Sequence, residues 1–424
     1  MKRFFYTLIL VALYINNVNG QAFDDYFTNN TLRIDYNFSG NNVEQRIALD
    51  ELYMSPGWYG KRKRLAEVPI EGNGQITVWA NDGKIIYRNS FSTLFQEWVS
   101  YDEAKTTTRS FENVFLVPMP KDTVAVNVTL YNNRREPTAS FTHRVVPSDI
   151  LIRHIGEKNR TPYRIISKPA DDDNCIRIAY VAEGYTQKEM GKFISDVRKA
   201  NDAMFAHEPF SSEKGKFEVI AVMPASEESG TSEPRNGVWK KTALNSHFDT
   251  FYSNRYLTTL SLKRLHDVLA GIPYEHIIIL VNTAEYGGGG ILNSYNLSMT
   301  DHKMFKPVVV HEFGHSFAGL ADEYAYEHEQ LGMYPLDIEP WEQNITTLNN
   351  FNSKWKDMLV ESTPLPTPED FSPENGVGVF EKAGYSMKGV YRPAKDCRMR
   401  TNTNPDFCPV CRRAIKRVID FYTE

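Results

Sequence analysis

Two histidines with a glutamate beside the first carry the most specific chemistry in this chain: Val308, Val309, Val310, His311, Glu312, Phe313, Gly314, His315. On an α-helix His311 and His315 are i and i+4, so both imidazoles leave one face about 5–6 Å apart at Cβ, within reach of one ion. Glu312 sits one residue along and cannot face the same way. Its carboxylate is left to meet a metal-activated water from the side, as a general base does. Past Gly319 the chain turns back, and Asp322, with Glu323 as the alternative, can complete the donor set. Two imidazoles and one carboxylate leave a fourth position open, which is a catalytic zinc arrangement and not a closed structural one. Such an ion makes a water acidic near neutral pH and polarises a scissile carbonyl. The bland alternative is a solvated helical face that happens to carry two histidines. An apolar run before the motif, a glycine stop after it and two acids beyond the stop all speak against that.

These side chains need elements to hold them. The run 308–310 buries the front of the helix, and Gly319 accepts the left-handed conformation that ends it. Upstream, Cys175–Ala182, Phe217–Met223 and His276–Asn282 read as apolar strands. They alternate with one helix that Thr186 caps and that runs through Ala200, and with another over 257–270. That alternation predicts an α/β layer with a mostly parallel sheet. Between the last strand and the histidine helix lies Glu285 to Leu292, with glycine at 287–290. Gly288 and Gly289 could form an edge strand that holds an extended peptide through backbone groups, or could be a plain turn. No Gly-Lys-Ser/Thr follows, so it is not a phosphate loop.

Residues 21–150 have a different texture. Thr31–Phe38 and Gln75–Ala80 alternate apolar and polar, Asn81-Asp82-Gly83 makes a hairpin turn, and Phe111–Val117, Thr123–Tyr131 and Phe141–Val146 follow as short strands. A β-sandwich accessory domain is expected there, with residues 151–173 as a Pro- and Asp-rich linker and 174–424 as the catalytic domain. Residues 325–375 lack periodicity and are expected to shape the cleft, while Glu327, His328 and Glu329 read as solvated side chains.

The chain has 424 residues, enough for two or three domains, with 41% hydrophobic and 24% charged residues, as in an ordinary globular protein. A net charge of -5 offers no basic field for nucleic acid. Residues 1–20, Met-Lys-Arg followed by an apolar stretch, read as a signal peptide. The expected destination is therefore outside the cytoplasm: periplasmic, cell-surface or secreted. No later segment approaches ~20 consecutive apolar residues, so no transmembrane segment is expected in the mature chain.

The four cysteines are Cys175, Cys397, Cys408 and Cys411. In an exported protein a disulfide from Cys397 to Cys408 or Cys411 is the preferred reading, and a structural zinc on three cysteines and another residue is the competing one. Met399 lies two residues past Cys397. A zinc helix followed much later by Cys-x-Met and then Phe-Cys-x-x-Cys resembles the metzincin peptidases. The string His-Glu-x-Gly-His with Leu-Ala-Asp-Glu-Tyr is similar to the IgA-peptidase type of bacterial zinc metallopeptidases. So are Ala182-Glu183-Gly184-Tyr185-Thr186, Glu228 to Pro234, Tyr286-Gly287-Gly288 and Lys388 to Pro393. The resemblance covers about 175–424, and the N-terminal strands look like the sandwich that accompanies that family.

The resemblance implies a methionine turn at Met399 under the zinc and a ligand at Asp322. One departure is plain: the usual metzincin spacing would put glycine and the third ligand at 318 and 321, where this chain has alanines. Tyr385 and Tyr391 have hydroxyls that could steady an oxyanion, but each is read as a packed aromatic. The expectation is a multidomain protein, an N-terminal all-β sandwich followed by an α/β metzincin-like domain, acting as an exported zinc endopeptidase. In it His311, His315 and Asp322 bind Zn2+ and Glu312 is the base. The substrate is a protein or peptide, a host glycoprotein or immunoglobulin being one candidate. The other readings are an inactive binding module that keeps the fold and a zinc amidase acting on cell-wall peptide.

Overall fold

The computed structural model describes residues 22–327 and 332–424. The expected signal segment, His328 and Glu329 lie outside them. After a single turn, α1 (Phe23–Tyr26), the chain builds β1 (Phe27–Gly40), β2 (Gln45–Pro56), β3 (Gly74–Trp79) and β4 (Ile85–Phe91). A short helix α2 (Leu94–Trp98) precedes β5 (Arg109–Pro120), β6 (Val124–Tyr131), β7 (Pro137–Val145) and β8 (Arg153–His154). They form two four-stranded sheets, β5-β1-β2-β8 and β4-β3-β6-β7. Strand β6 shows why: Val124, Val126, Val128 and Leu130 are buried, and the residues between them are half-buried, the two-residue period of a strand with one face on the core. Phe27, Phe38, Phe91, Phe95 and Trp98 are almost fully enclosed, each contributing roughly 1.5–3 kcal/mol or more of apolar burial.

The second part begins with β9 (Tyr163–Ser167), β10 (Ile176–Glu183), α3 (Met190–Met204) and β11 (Phe217–Val222), and continues with α4 (Leu262–Val268) and β12 (His276–Val281). Then come β13 (Gly288–Ile291), β14 (Tyr295–Met299), α5 (Phe305–Ala318), the hairpin β15 (Phe380–Ala383) and β16 (Ser386–Arg392), and α6 (Pro409–Thr423). The main sheet has the order β13-β14-β12-β10-β11-β9. Its central strands β11, β10, β12 and β14 pair in parallel, and the edge strands β9 and β13 run antiparallel. Every residue of β12 is buried, as expected for a parallel sheet covered on both faces. Helix α5 packs on β13, β14 and α3, and α6 packs on α5. Among the described residues no helix is long and apolar enough to cross a membrane.

The stretch 151–173, expected as a linker, contributes two strands. β8 pairs with β2 in the first part, and β9 pairs with β11 in the second. Both are short, and β9 is exposed at Tyr163, Arg164 and Ile165, so no hydrophobic period marks them. The two parts are also locked by a buried charge. Arg33 on β1 donates to both carboxylate oxygens of Asp35 at 2.7 and 2.8 Å and to Asp267 of α4 at 2.6 Å. A guanidinium this deep is tolerated only when paired in this way. The described residues of 325–375 contain the 3-10 turns Phe351–Ser353 and Lys356–Met358 and a single antiparallel bridge from Thr346 to Tyr391, in line with an irregular insertion.

Candidate active site

Helix α5 carries His311, Glu312 and His315, and its C-cap is Gly319 at φ +56°. The glycine turn closes with the Gly319 N–H on the His315 carbonyl at 3.0 Å and the Leu320 N–H on the Gly314 carbonyl at 3.2 Å. It therefore returns the Leu320 carbonyl to the helix, where it lies 2.5 Å from His315 Nδ1. His311 Nδ1 lies 3.0 Å from the Arg398 carbonyl. Both imidazoles are thus held through Nδ1, which leaves both Nε2 atoms facing the same space, 3.1 Å apart.

Asp322 enters that space. Its Oδ1 lies 3.1 Å from His311 Nε2 and 3.4 Å from His315 Nε2, yet it accepts no hydrogen bond of acceptable direction. Its other oxygen accepts from the Tyr385 hydroxyl, and the Tyr324 hydroxyl lies 3.2 Å from that of Tyr385. The β15–β16 turn also grips the backbone here. The Gly384 N–H bonds the Asp322 carbonyl at 2.9 Å, the Tyr385 N–H bonds the Tyr324 carbonyl at 3.0 Å, and Tyr385 sits at φ +59°. A non-glycine residue in the left-handed region beside a polar cluster is a mark of a constrained site. Asn344 pins the same loop from the other side, with 2.8 Å bonds to the Ala321 N–H and carbonyl.

Could these residues hold an ion? Ligand bonds of ~2.0–2.1 Å around one tetrahedral centre put the ligand atoms about 3.3 Å apart. The three separations here, 3.1, 3.1 and 3.4 Å, match such an edge length. Glu312 also brings a carboxylate oxygen within 4.8 Å of both imidazoles, but Asp322 Oδ1 is the atom that closes the triangle. Burial pushes the Glu312 carboxyl up, against the pull of His311 and His315. For His315 burial acts downward, but Asp322 and Glu312 outweigh it and hold the imidazole up at about 9. Asp322 stays well below the usual carboxylate range, since the two imidazoles more than offset its burial. Metal ligands must be deprotonated, so an ion entering here would displace the imidazole proton and take over its attraction for Asp322.

The glycine run lies across this helix as the edge strand β13. A Cβ on Gly288 would stand 2.6 Å from Glu312 Oε1, and one on Gly290 would stand 2.4 Å from the Glu312 carbonyl oxygen and 2.9 Å from His315 Cβ. Glycine is required because the strand touches the helix. The edge itself differs from expectation. The Gly288 N–H and carbonyl are engaged at 3.4 Å by the Arg255 carbonyl and the Leu257 N–H, and a Cβ on Gly289 would meet the Tyr256 ring at 2.8 Å. The segment 255–257 thus covers the edge on which Gly288 and Gly289 were expected to hold a peptide. Tyr256 in turn donates to Glu97 of α2 at 2.5 Å. Burial lifts Glu97 to about 7, and the charges of Asp322 and His315 reach it, so the N-terminal part backs the site.

Met399 is completely buried and lies beneath α5, where a Cβ on Gly314 would come within 2.7 Å of its sulfur. The cysteines depart from the preferred expectation. All four are free, so the disulfide from Cys397 to Cys408 or Cys411 is not formed. The three thiols instead gather around Glu323 in a fully buried cluster. That placement also removes Glu323 from the histidine site: neighbours in an extended turn point opposite ways, and here Asp322 faces the imidazoles while Glu323 faces the sulfurs. Tyr324, Asn344, Glu97 and the part played by Tyr385 were missed from sequence. Only Tyr324 and Tyr385, aromatic residues beside the Asp-Glu pair and in a Gly-Tyr turn, left any local signal.

No curated protein matches this chain. Two families do. The Peptidase M64 N-terminus matches residues 22–142, the strand-rich part, and IgA Peptidase M64 matches 165–375 and 369–419, the mixed α/β part. The second match spans more than half of the chain and contains every residue of the histidine site, so the resemblance read from the motifs holds: the chain belongs to the IgA Peptidase M64 family and is a peptidase.

Proposed function

We propose that this peptidase is a zinc-dependent endopeptidase of the metzincin type, exported from the cell, with the two N-terminal sheets forming an accessory β-sandwich. The observation that carries the reading is the triangle of His311 Nε2, His315 Nε2 and Asp322 Oδ1, sized for one tetrahedral ion with a fourth position to spare. Zinc bound there would supply an acidic water and a Lewis acid for the scissile carbonyl. The protein's own residues do the rest. Glu312 takes the proton from the attacking water and delivers it to the leaving amine, so that one peptide bond becomes one carboxylate and one amine. The buried, upward-shifted Glu312 carboxyl suits a group that must both accept and return a proton. Tyr385 holds Asp322 so that its Oδ1 faces the histidines, and Met399 serves as the floor beneath α5.

The substrate is proposed to be an extended protein segment, immunoglobulin being one candidate. Glu312→Ala should leave zinc binding intact and abolish cleavage of denatured casein, mucin and immunoglobulin, all of which should also be chelator-sensitive in the unmodified protein. Retained turnover in that variant would remove Glu312 as the base. Failure to cleave any protein substrate with zinc fully loaded would remove the endopeptidase reading.

A further inference from the structure

The thiol cluster beside the active site is more than three buried cysteines. Cys397, Cys408, Cys411 and Glu323 each present a donor atom, and these atoms lie within 4.8 Å of one another. Cys397, Cys411 and Glu323 are completely buried and Cys408 nearly so. Cys411 Sγ is 2.9 Å from Glu323 Oε1, and Cys408 Sγ is 4.0 Å from the same oxygen. Cys397 Sγ accepts from the Cys408 N–H at 3.2 Å and from the Met399 N–H at 3.5 Å. Backbone N–H groups aimed at a cysteine sulfur stabilise it as a thiolate.

Glu323 needs a partner that the described residues do not supply. Its Oε1 receives a 3.0 Å bond from Asn344 Nδ2, but its Oε2 is buried with no hydrogen-bond donor. The thiols of Cys411 and Cys408 approach the other oxygen, Oε1, and thiols are weak donors. Arg392 Nη2 bonds Glu369 at 2.8 Å and Nη1 bonds the Lys382 carbonyl at 3.0 Å, so its charge acts on Glu323 only from a distance, with no hydrogen bond to it. A buried carboxylate oxygen left this way is costly unless something cationic meets it. Cys408 is the N-cap of α6 and Cys411 lies in its first turn, where free N–H groups and the helix dipole favour negative sulfur.

We infer that Cys397, Cys408, Cys411 and Glu323 form a second, closed metal site that binds a thiophilic divalent cation, zinc foremost. Four protein donors and no open position make it structural, in contrast to the histidine site. Its placement gives it a job. Glu323 follows Asp322 directly, and Cys397 stands two residues before Met399, whose carbonyl accepts from the Glu323 N–H at 2.9 Å. An ion there clamps the Asp322–Glu323 turn, the 397–399 turn and the start of α6 to one point. It thereby fixes the loop that carries Asp322 and the carbonyl of Arg398 that orients His311.

The test uses the full-length mature protein with the histidine site disabled by His311→Ala and His315→Ala, so that its outcome is independent of whether the peptidase reading holds. This double variant should retain about one equivalent of zinc per chain, against about two in the unmodified protein. X-ray absorption on it should show a sulfur-dominated shell at about 2.3 Å, and Co2+ exchanged into it should give thiolate-to-metal charge-transfer absorption. Cys411→Ser should abolish that absorption. The absorption edge of the double variant, in which no cysteine is touched, decides the matter if the serine variant does not fold. A double variant that binds no metal and has freely titrating thiols, or one in which peptide mapping finds a bond between any two of Cys397, Cys408 and Cys411, would overturn the site.

Discussion

Removing the hydroxyl of Tyr385 should weaken metal binding without touching the chemistry. Asp322 divides its oxygens: Oδ1 faces the two imidazoles, and the other accepts from Tyr385. Tyr385 is itself held by the Tyr324 hydroxyl at 3.2 Å, and burial pushes both phenols well above their usual range, so both remain neutral donors. Tyr385→Phe deletes one hydrogen bond to an ionised carboxylate, worth about 1.5–3 kcal/mol. If that energy serves to keep Asp322 turned towards the ion, zinc affinity should fall roughly 10- to 100-fold, the range in which partners of metal ligands act. Competition against a chromophoric chelator measures the affinity, and kcat with zinc in excess measures the chemistry. The expected result is a weaker Kd for zinc with kcat within a few-fold of the unmodified protein. An unchanged zinc Kd together with a large loss of kcat would refute the reasoning and place Tyr385 on the reacting atoms instead.

Gly288→Ala puts a methyl 2.6 Å from Glu312 Oε1. We expect zinc to be retained while kcat drops by about 100-fold or more, the share a displaced general base accounts for; an unaltered kcat would mean that the strand yields instead. Arg33→Ala leaves Asp35 buried without its guanidinium and removes the ion pair to Asp267 of α4, and should cost about 3–5 kcal/mol in denaturant unfolding; a loss under about 1 kcal/mol would count against a stabilising role for this buried charge. His276 is buried, its Nε2 has no partner among the described residues, and burial lowers its imidazole from 6.5 to about 3. The unfolded chain then takes up a proton below pH 6.5 that the folded chain refuses until about pH 3. This term is absent above pH 6.5 and erodes stability as the pH falls, by about 2 kcal/mol at pH 5. His276→Leu should lessen the loss in urea midpoint between pH 7 and pH 5, and an identical loss in both proteins would contradict the assignment.

Much of the fold was legible because it is local. The two-residue alternation of Val124 to Leu130, the Asn-Asp-Gly turn and the apolar runs of β10, β11 and β12 mark strands without reference to anything distant. What escaped had no local signal. β8 and β9 are short and largely exposed and are strands only because β2 and β11 offer an edge. The four glycines read equally well as a turn or a strand, and their reason is visible only where β13 presses on Glu312 and His315.

Sequence alone determined the histidine helix: the i, i+4 spacing places two imidazoles on one face, and Gly319 ends the helix where the chain must turn back, both consequences of backbone geometry within a few residues. Tertiary structure alone decided which of two adjacent acids joins them. Asp322 faces the histidines and Glu323 the sulfurs because the β15–β16 turn, Asn344 and the start of α6 meet that loop from different sides. The fate of the cysteines was decided in the same place, since the spacing 397, 408 and 411 favoured a bridge but left a metal site open. Only the buried carboxylate set among the three thiols distinguishes them, and it arrives from a segment 74 residues before Cys397.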